Sequence, residues 1–222
     1  MNELKQPLPV KPAAPKLPKV LPILEWKDDL IQDEEVFTSW RVADCTIEGH
    51  HVRKVLFQHM RFEQVTFTGA LQLAEFSDVV FFQCDLSNAD FSEVMMHRCR
   101  FEQCRMVGLD LTASTLRNIG LEMCSADYVS LRFANLKQIL FRQSSLTQAD
   151  FYHTEWTKLS FEECNIDKAQ MSGTRLAGID LSSCQFYNLG VGLEELQGCI
   201  ITAPQAILFS KIFGLVVKED LG

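Results

Sequence analysis

An all-β solenoid is the fold class this sequence predicts. Three observations predict it: a five-residue beat of apolar residues, near-exclusion of charge from two positions in every five, and cysteines confined to one of those two. The stretch CDLSNADFSEV (84–94) shows the beat, with small Cys84 and Ala89, large Leu86 and Phe91, and Asp85 and Asp90 between them. Stepping by five from Leu71 to Ile201 meets 27 positions, of which Ala126 alone is not a larger apolar residue. Two residues before each centre runs a smaller series, beginning Ala74, Val79, Cys84, Ala89, Val94, Cys99 and Cys104. Segment 69–201 holds 27 charged residues; chance would put about eleven at these two positions, and only Glu194 falls there, as the cost of burying unpaired charge requires.

The geometry follows from the spacing. Residues two apart on an extended segment point the same way, so each small–large pair enters the core together and the other three residues form the outside and the corner. An amphipathic helix needs apolar residues at three and four, which this series does not keep. Repeated five-residue sides therefore close into a coil whose turns stack by strand pairing, a solenoid that buries its core between neighbours.

The register extends backwards with one slip. Phe37, Val42, Ile47, Val52, Phe57, Phe62 and Phe67 are five apart, preceded at minus two by Trp40, Cys45, His50, Val55, Met60 and Val65. Phe67 to Leu71 is only four residues, so one coil is a residue short and Gly69 supplies the backbone freedom for it. About eight coils make a rod of roughly 40 Å at ~4.8 Å per strand spacing. The expected organisation is a Pro-rich basic arm and lead-in over 1–34, the repeat body over 35–201 with its slip at 67–71, and a terminal segment over 202–222.

Both ends differ from the body. Pro7, Pro9, Pro12, Pro15, Pro18 and Pro22 predict an extended arm that cannot join a central strand. Leu8, Val10, Leu17, Val20 and Leu21 suit docking, and a free tail remains the alternative. At the other end Thr202 and Gln205 have capping-box spacing, Pro204 suits a first turn and Gly214 a stop, which predicts a helix near 203–213. Leu215-Val216-Val217 reads as a short strand. The helix covers an open end of the coil, and joining two rods there is the sharper reading.

The net charge of −8 is uneven: Lys5, Lys11, Lys16 and Lys19 oppose only Glu3 in the arm, leaving about −11 for the remainder. Such a body does not bind nucleic acid through phosphates but attracts a basic partner. No run reaches the ~18 apolar residues of a membrane span, and no signal-peptide core opens the chain, so a cytoplasmic location is expected. Cys45, Cys84, Cys99, Cys104, Cys124, Cys164, Cys184 and Cys199 all occupy the small inward position, which reads as packing by reduced thiols. His50, His51, His59, His97 and His153 show no metal or catalytic spacing, and GVGLEE near 190 lacks the context of a phosphate cradle. No enzyme, cofactor or metal is expected. Outward Tyr128, Phe133, Leu140 and Tyr152 are contact residues or sheltered corners, and Arg98, Arg117, Lys137, Lys158 and Arg175 make one face mildly basic.

The segments CDLSN, ADFSE, ANLKQ, ADFYH and CNIDK resemble the pentapeptide-repeat proteins. That resemblance implies a right-handed quadrilateral β-helix with four pentapeptides per turn, so that residues twenty apart stack. On such stacking Asp90, Asp110 and Asp150 share one column, and Glu102, Glu122 and Glu162 another. Like charges side by side repel, so these columns are the candidate partner-binding residues. Within the family, ADYVSLRFANLKQILF (126–141), FYHTEWTKLSFEECNI (151–166) and APQAILFSKIFGLVV (203–217) are similar to the quinolone-resistance group, the chromosomal type of Gram-positive bacteria in particular. The outward loops of some plasmid-borne members are missing from the unbroken beat. The similarity implies a homodimer joined through Ile207, Leu208, Ile212, Phe213, Leu215 and Val217, imitating duplex DNA and protecting DNA gyrase or topoisomerase IV from quinolones. The alternatives are a scaffold for another protein and an immunity factor against a topoisomerase toxin.

Overall fold

The computed structural model describes residues 10–27, 31–49 and 52–218; Leu8, His50 and His51 lie outside them. Short strands β1 (Val36–Thr38), β2 (Arg41–Ala43), β3 (Thr46–Gly49), β4 (Leu56–Gln58), β5 (Arg61–Glu63) and β6 (Thr66–Gly69) lead into eight-residue strands. These are β7 (Glu75–Phe82), β8 (Met95–Glu102), β9 (Thr115–Glu122), β10 (Asn135–Arg142) and β11 (Glu155–Glu162), followed by helix α1 (Ala203–Ile212). Every pairing is parallel, and the order β1-β4-β7-β8-β9-β10-β11 is a ladder of six turns. The stack continues past it through single bridges such as Asn165↔Gln185 and Asp180↔Ile200. Partners are twenty residues apart, Phe81↔Phe101 and Phe141↔Phe161 for example, so five-residue sides make four faces. We number the faces 1 to 4 by the centres Leu71, Phe76, Phe81 and Leu86.

A backbone device turns each corner. Two residues after every centre from Leu73 to Lys168 the chain is left-handed, with φ between 48° and 60° for the non-glycine residues. Such a conformation costs on the order of 1 kcal/mol. Each pentapeptide buries two apolar side chains, worth about 1.5–3 kcal/mol apiece for the large ones, so burial outweighs the strain. Within the tube Phe81 and Phe101 stack with centroids 4.5 Å apart, and Phe141 and Phe161 at 5.2 Å, with Leu121 between the pairs.

The coil ending at β7 is nineteen residues long, since Phe57 pairs with Phe76. At that step Gly49 and Gly69 are paired, and a Cβ on Gly69 would lie 2.4 Å from the Gly49 oxygen. Gly69 also supplies a corner at φ 73°, and the next follows only four residues later at Leu73. At the far end the beat loosens. Ser183, Asn188 and Leu193 are not left-handed, and Glu194, at an inward position by spacing, is exposed on a run of turns.

Helix α1 closes that end. Thr202 and Gln205 form the reciprocal capping box, and the Gln205 amide donates to the Leu181 and Cys184 carbonyls at 2.8 and 3.0 Å. Phe209 packs on Phe186 at 5.4 Å. The strand expected at Leu215–Val217 is not formed, which corrects that reading. The Leu215 and Gly214 N–H groups instead bond the Ser210 and Lys211 carbonyls, a helix-terminating motif with Gly214 at φ 79°. Among the described residues no strand pairs with 215–218.

The arm docks. Leu24 N–H and Arg41 N–H exchange bonds with the Arg41 and Pro22 carbonyls at 2.8 and 2.9 Å, so residues 22–24 cover the edge of the first coil, with Trp26 against Phe37. Further out the arm lies along the left-handed corner column of face 2. Lys16 N–H donates to Asp78 at 2.8 Å and Ala13 N–H to Asn118 at 3.1 Å. Three residues of polyproline-type chain span about 9.3 Å and two coils about 9.6 Å, so the two repeats stay in step. Pro12 is buried and Leu17 half-buried, whereas Val20 is exposed.

Candidate partner-binding surface

The aspartates of face 1 have a backbone task first. Asp90, Asp110 and Asp150 each accept the N–H two residues on, from Ser92, Thr112 and Tyr152, at 2.8–2.9 Å. This is a local turn that competes well for short acidic side chains. The second oxygen of Asp90 accepts from Gln72 at 2.6 Å, and that of Asp150 from Arg132 at 2.7 Å. Ser130 separates Asp110 from Asp150 in the column.

The glutamates of face 3 form a like-charge step at Glu102 and Glu122 alone, and Arg142 interrupts the column before Glu162, which corrects part of the premise that singled them out. The column runs Phe82, Glu102, Glu122, Arg142, Glu162. Arg142 bonds Glu162 at 2.8 Å and lies 3.9 Å from Glu122, which also takes Arg100 at 2.5 Å. Glu102 makes no ion pair among the described residues. Stacking by twenty already places Arg142 between the two glutamates, so that signal was present in the sequence. Arginines two positions off its column hold the Glu63 carboxyl below its ordinary range: burial raises it, and the hydrogen bonds and charges of Arg61 and Arg41 more than reverse the effect.

Face 2 holds the most buried acid. Asp78 is 2% exposed, receives Nε and Nη2 of Arg98 at 2.6 Å each, and lies 3.8 Å from His59 Nδ1. His59 in turn bonds the Lys16 carbonyl at 2.9 Å. Stacking by twenty already sets Arg98 beside Asp78, but spacing gave no hint of the contribution of Lys16 and the arm.

All eight cysteines are free. Six of the thiols donate to carbonyls of the preceding coil, Cys104 to Phe81 at 3.3 Å and Cys124 to Phe101 at 3.4 Å for example, while Cys164 donates to Glu162 in its own coil. Burial pushes Cys99 and Cys184 up to about 12 and Cys164 to about 11, which keeps them as un-ionised packing groups. Among the described residues no His, Cys, Asp and Glu gather as a metal site, and no helix is long and apolar enough to cross a membrane.

The outward apolar residues separate into two kinds. Leu140 is sheltered at 3% exposure, while Tyr128 and Phe133 are each 55% exposed. On the cap, Leu193, Leu196, Ile201, Phe209, Phe213 and Leu215 line an apolar groove of about 410 Å³. Leu215 on the groove and Ile207 outside it are exposed, whereas Leu208, Ile212 and Phe213 pack partly against the core.

A family model described as "Pentapeptide repeat region" matches residues 74–146 and 94–171. The uncharacterized protein YisX of Bacillus subtilis (strain 168) is 34% identical over 204 residues, covering 91% of this chain and 96% of that protein. A structure of trypsin-treated QnrB1, a plasmid-mediated fluoroquinolone resistance protein, matches with a TM-score of 0.50 at 17% identity, over 80% of this chain and 100% of that one. HetL, a pentapeptide repeat protein involved in heterocyst differentiation regulation in a Nostoc cyanobacterium, matches with a TM-score of 0.31 at 14% identity, over 78% and 91%. The five-residue beat, the twenty-residue register, the family-model match and the likeness to YisX agree: the chain belongs to the pentapeptide-repeat family.

Proposed function

We propose that the rod binds a type II topoisomerase, DNA gyrase or topoisomerase IV, on the cationic surface that takes duplex DNA, and that it protects the enzyme from quinolones. It acts by binding, without catalysis. The observation that carries this reading is a continuous straight-sided rod with an acidic surface; its fold neighbour QnrB1 is a fluoroquinolone resistance protein. The charge of −8 over roughly 40 Å is one charge per about 5 Å, against one per ~1.7 Å of duplex. The imitation is therefore of shape with about a third of the charge, which favours a displaceable complex over a permanent one. Asp110 and Glu102 are the acids of the two columns with no cation on them among the described residues. The exposed apolar groove on the cap supports a homodimer through Ile207, Leu215 and their neighbours, doubling the rod.

Supercoiling by purified gyrase, with and without a fluoroquinolone, tests the reading when titrated with this protein. Restored supercoiling in the presence of drug is the expected result. Neither protection nor inhibition at any concentration would favour a scaffold for another protein.

A further inference from the structure

The corner between faces 1 and 2 carries an aromatic cluster that the core does not need. Phe133 occupies a left-handed corner at φ 57° while 55% exposed, where the equivalent corners hold Ala113 one coil before and Gly173 two coils after. Tyr152 meets Phe133 edge-on at 5.7 Å, and His153 lies parallel to Phe133 at 6.1 Å. The Arg132 guanidinium sits 4.6 Å over the Tyr152 ring and is tied to Asp150 at 2.7 Å, so the cluster is held rigid before any partner arrives. Phe133 and His153 form one wall of a depression of about 510 Å³, and exposed Glu155, with no ion pair among the described residues, lines it too.

An exposed aromatic wall facing a carboxylate is the chemistry that receives a cationic side chain. On the face 1 side the surroundings agree in sign, the outward positions from Gln72 to Gly192 holding Asp90, Glu93, Asp110 and Asp150 against Arg132 alone; on the face 2 side, where Glu155 stands, Lys137, Lys158 and Arg175 oppose it, so the rings and the Glu155 carboxylate carry the recognition. Tyrosine, arginine and large aromatics, prefixed in place, are also the composition of contact hot spots. We propose that this corner is a socket for a lysine or arginine side chain of a cationic protein partner, with Phe133 and His153 as the ring faces and Glu155 as the counter-charge. The inference deepens the topoisomerase reading by naming the contact, and rests on it only for the partner's identity.

The test uses the full chain and a hexa-arginine peptide, followed by amide and aromatic NMR shifts. Shifts centred on Phe133, His153 and Glu155 are expected, and their loss in Glu155→Gln. Shifts elsewhere, or none, overturn the socket. Phe133→Asn supplies a readout that a structural role would not move, since asparagine suits the left-handed corner: thermal stability is held or raised while affinity for purified gyrase falls about tenfold. Gyrase bound equally by wild type and Phe133→Asn overturns the socket and leaves the topoisomerase reading standing. Peptide shifts at the socket without gyrase binding do the reverse.

Discussion

Replacing Asp78 with asparagine removes one charge and no volume from the point where the arm, face 2 and the corner column meet. The wild-type carboxylate takes two Arg98 bonds at 2.6 Å and the Lys16 N–H at 2.8 Å while 2% exposed. Hydrogen bonds to charged groups contribute about 1.5–3 kcal/mol each, and the amide keeps one acceptor. The expected loss is therefore about 2–4 kcal/mol, shared between the Arg98 pair and the arm. The pH dependence has a definite sign. Burial raises the Asp78 carboxyl, but the Arg98 and Lys16 hydrogen bonds and the charges of Arg98 and His59 bring it below its ordinary value of 3.8. Its stabilisation is then complete above the unfolded value and disappears as pH falls through the folded one. Urea unfolding at pH 7 and at a series below pH 4 measures both, and trypsin cleavage after Lys16 and Lys19 reports arm release. An unchanged urea midpoint together with unchanged cleavage in Asp78→Asn would refute the reasoning.

Three further outcomes are expected. Ser114 is 1% exposed and its hydroxyl has no hydrogen-bond partner among the described residues, so Ser114→Ala raises stability by about 1 kcal/mol in urea titration. Gln205→Ala removes half the capping box and two bonds to the last coil, lowering stability by about 2–3 kcal/mol and exposing the end of the core to hydrophobic dye. Glu102→Lys leaves stability within ~0.5 kcal/mol but weakens gyrase protection, whereas Glu122→Lys also costs about 1 kcal/mol by facing Arg100 and Arg142. Equal protection by Glu102→Lys and wild type would remove face 3 from the interface.

The body of the fold was legible because its constraint is local and periodic. A pentapeptide that places Phe101 or Cys104 inward does so whatever surrounds it, and charge is excluded from those positions for the same reason. The arm was less legible: Ala13 and Lys16 dock through backbone N–H groups and a matched repeat length, which residue types do not display. Leu215–Val217 has strand composition without a strand to pair with, so propensity yielded to the helix stop at Gly214. Glu194 looked inward by spacing alone, yet the last coil relaxes where the left-handed corners cease. The acidic columns were visible, but their arginines matter as much as the acids. Arg100 sits two positions off the column of Glu122, across a strand pairing that five-residue counting does not weigh.

Competition between this protein and a fluorescent duplex for purified gyrase, followed by anisotropy over a range of salt, tests the central claim most directly. An acidic rod standing in for DNA displaces the duplex, and its own affinity weakens steadily as salt rises. Binding that neither displaces duplex nor responds to salt would contradict the account, and so would no binding at all.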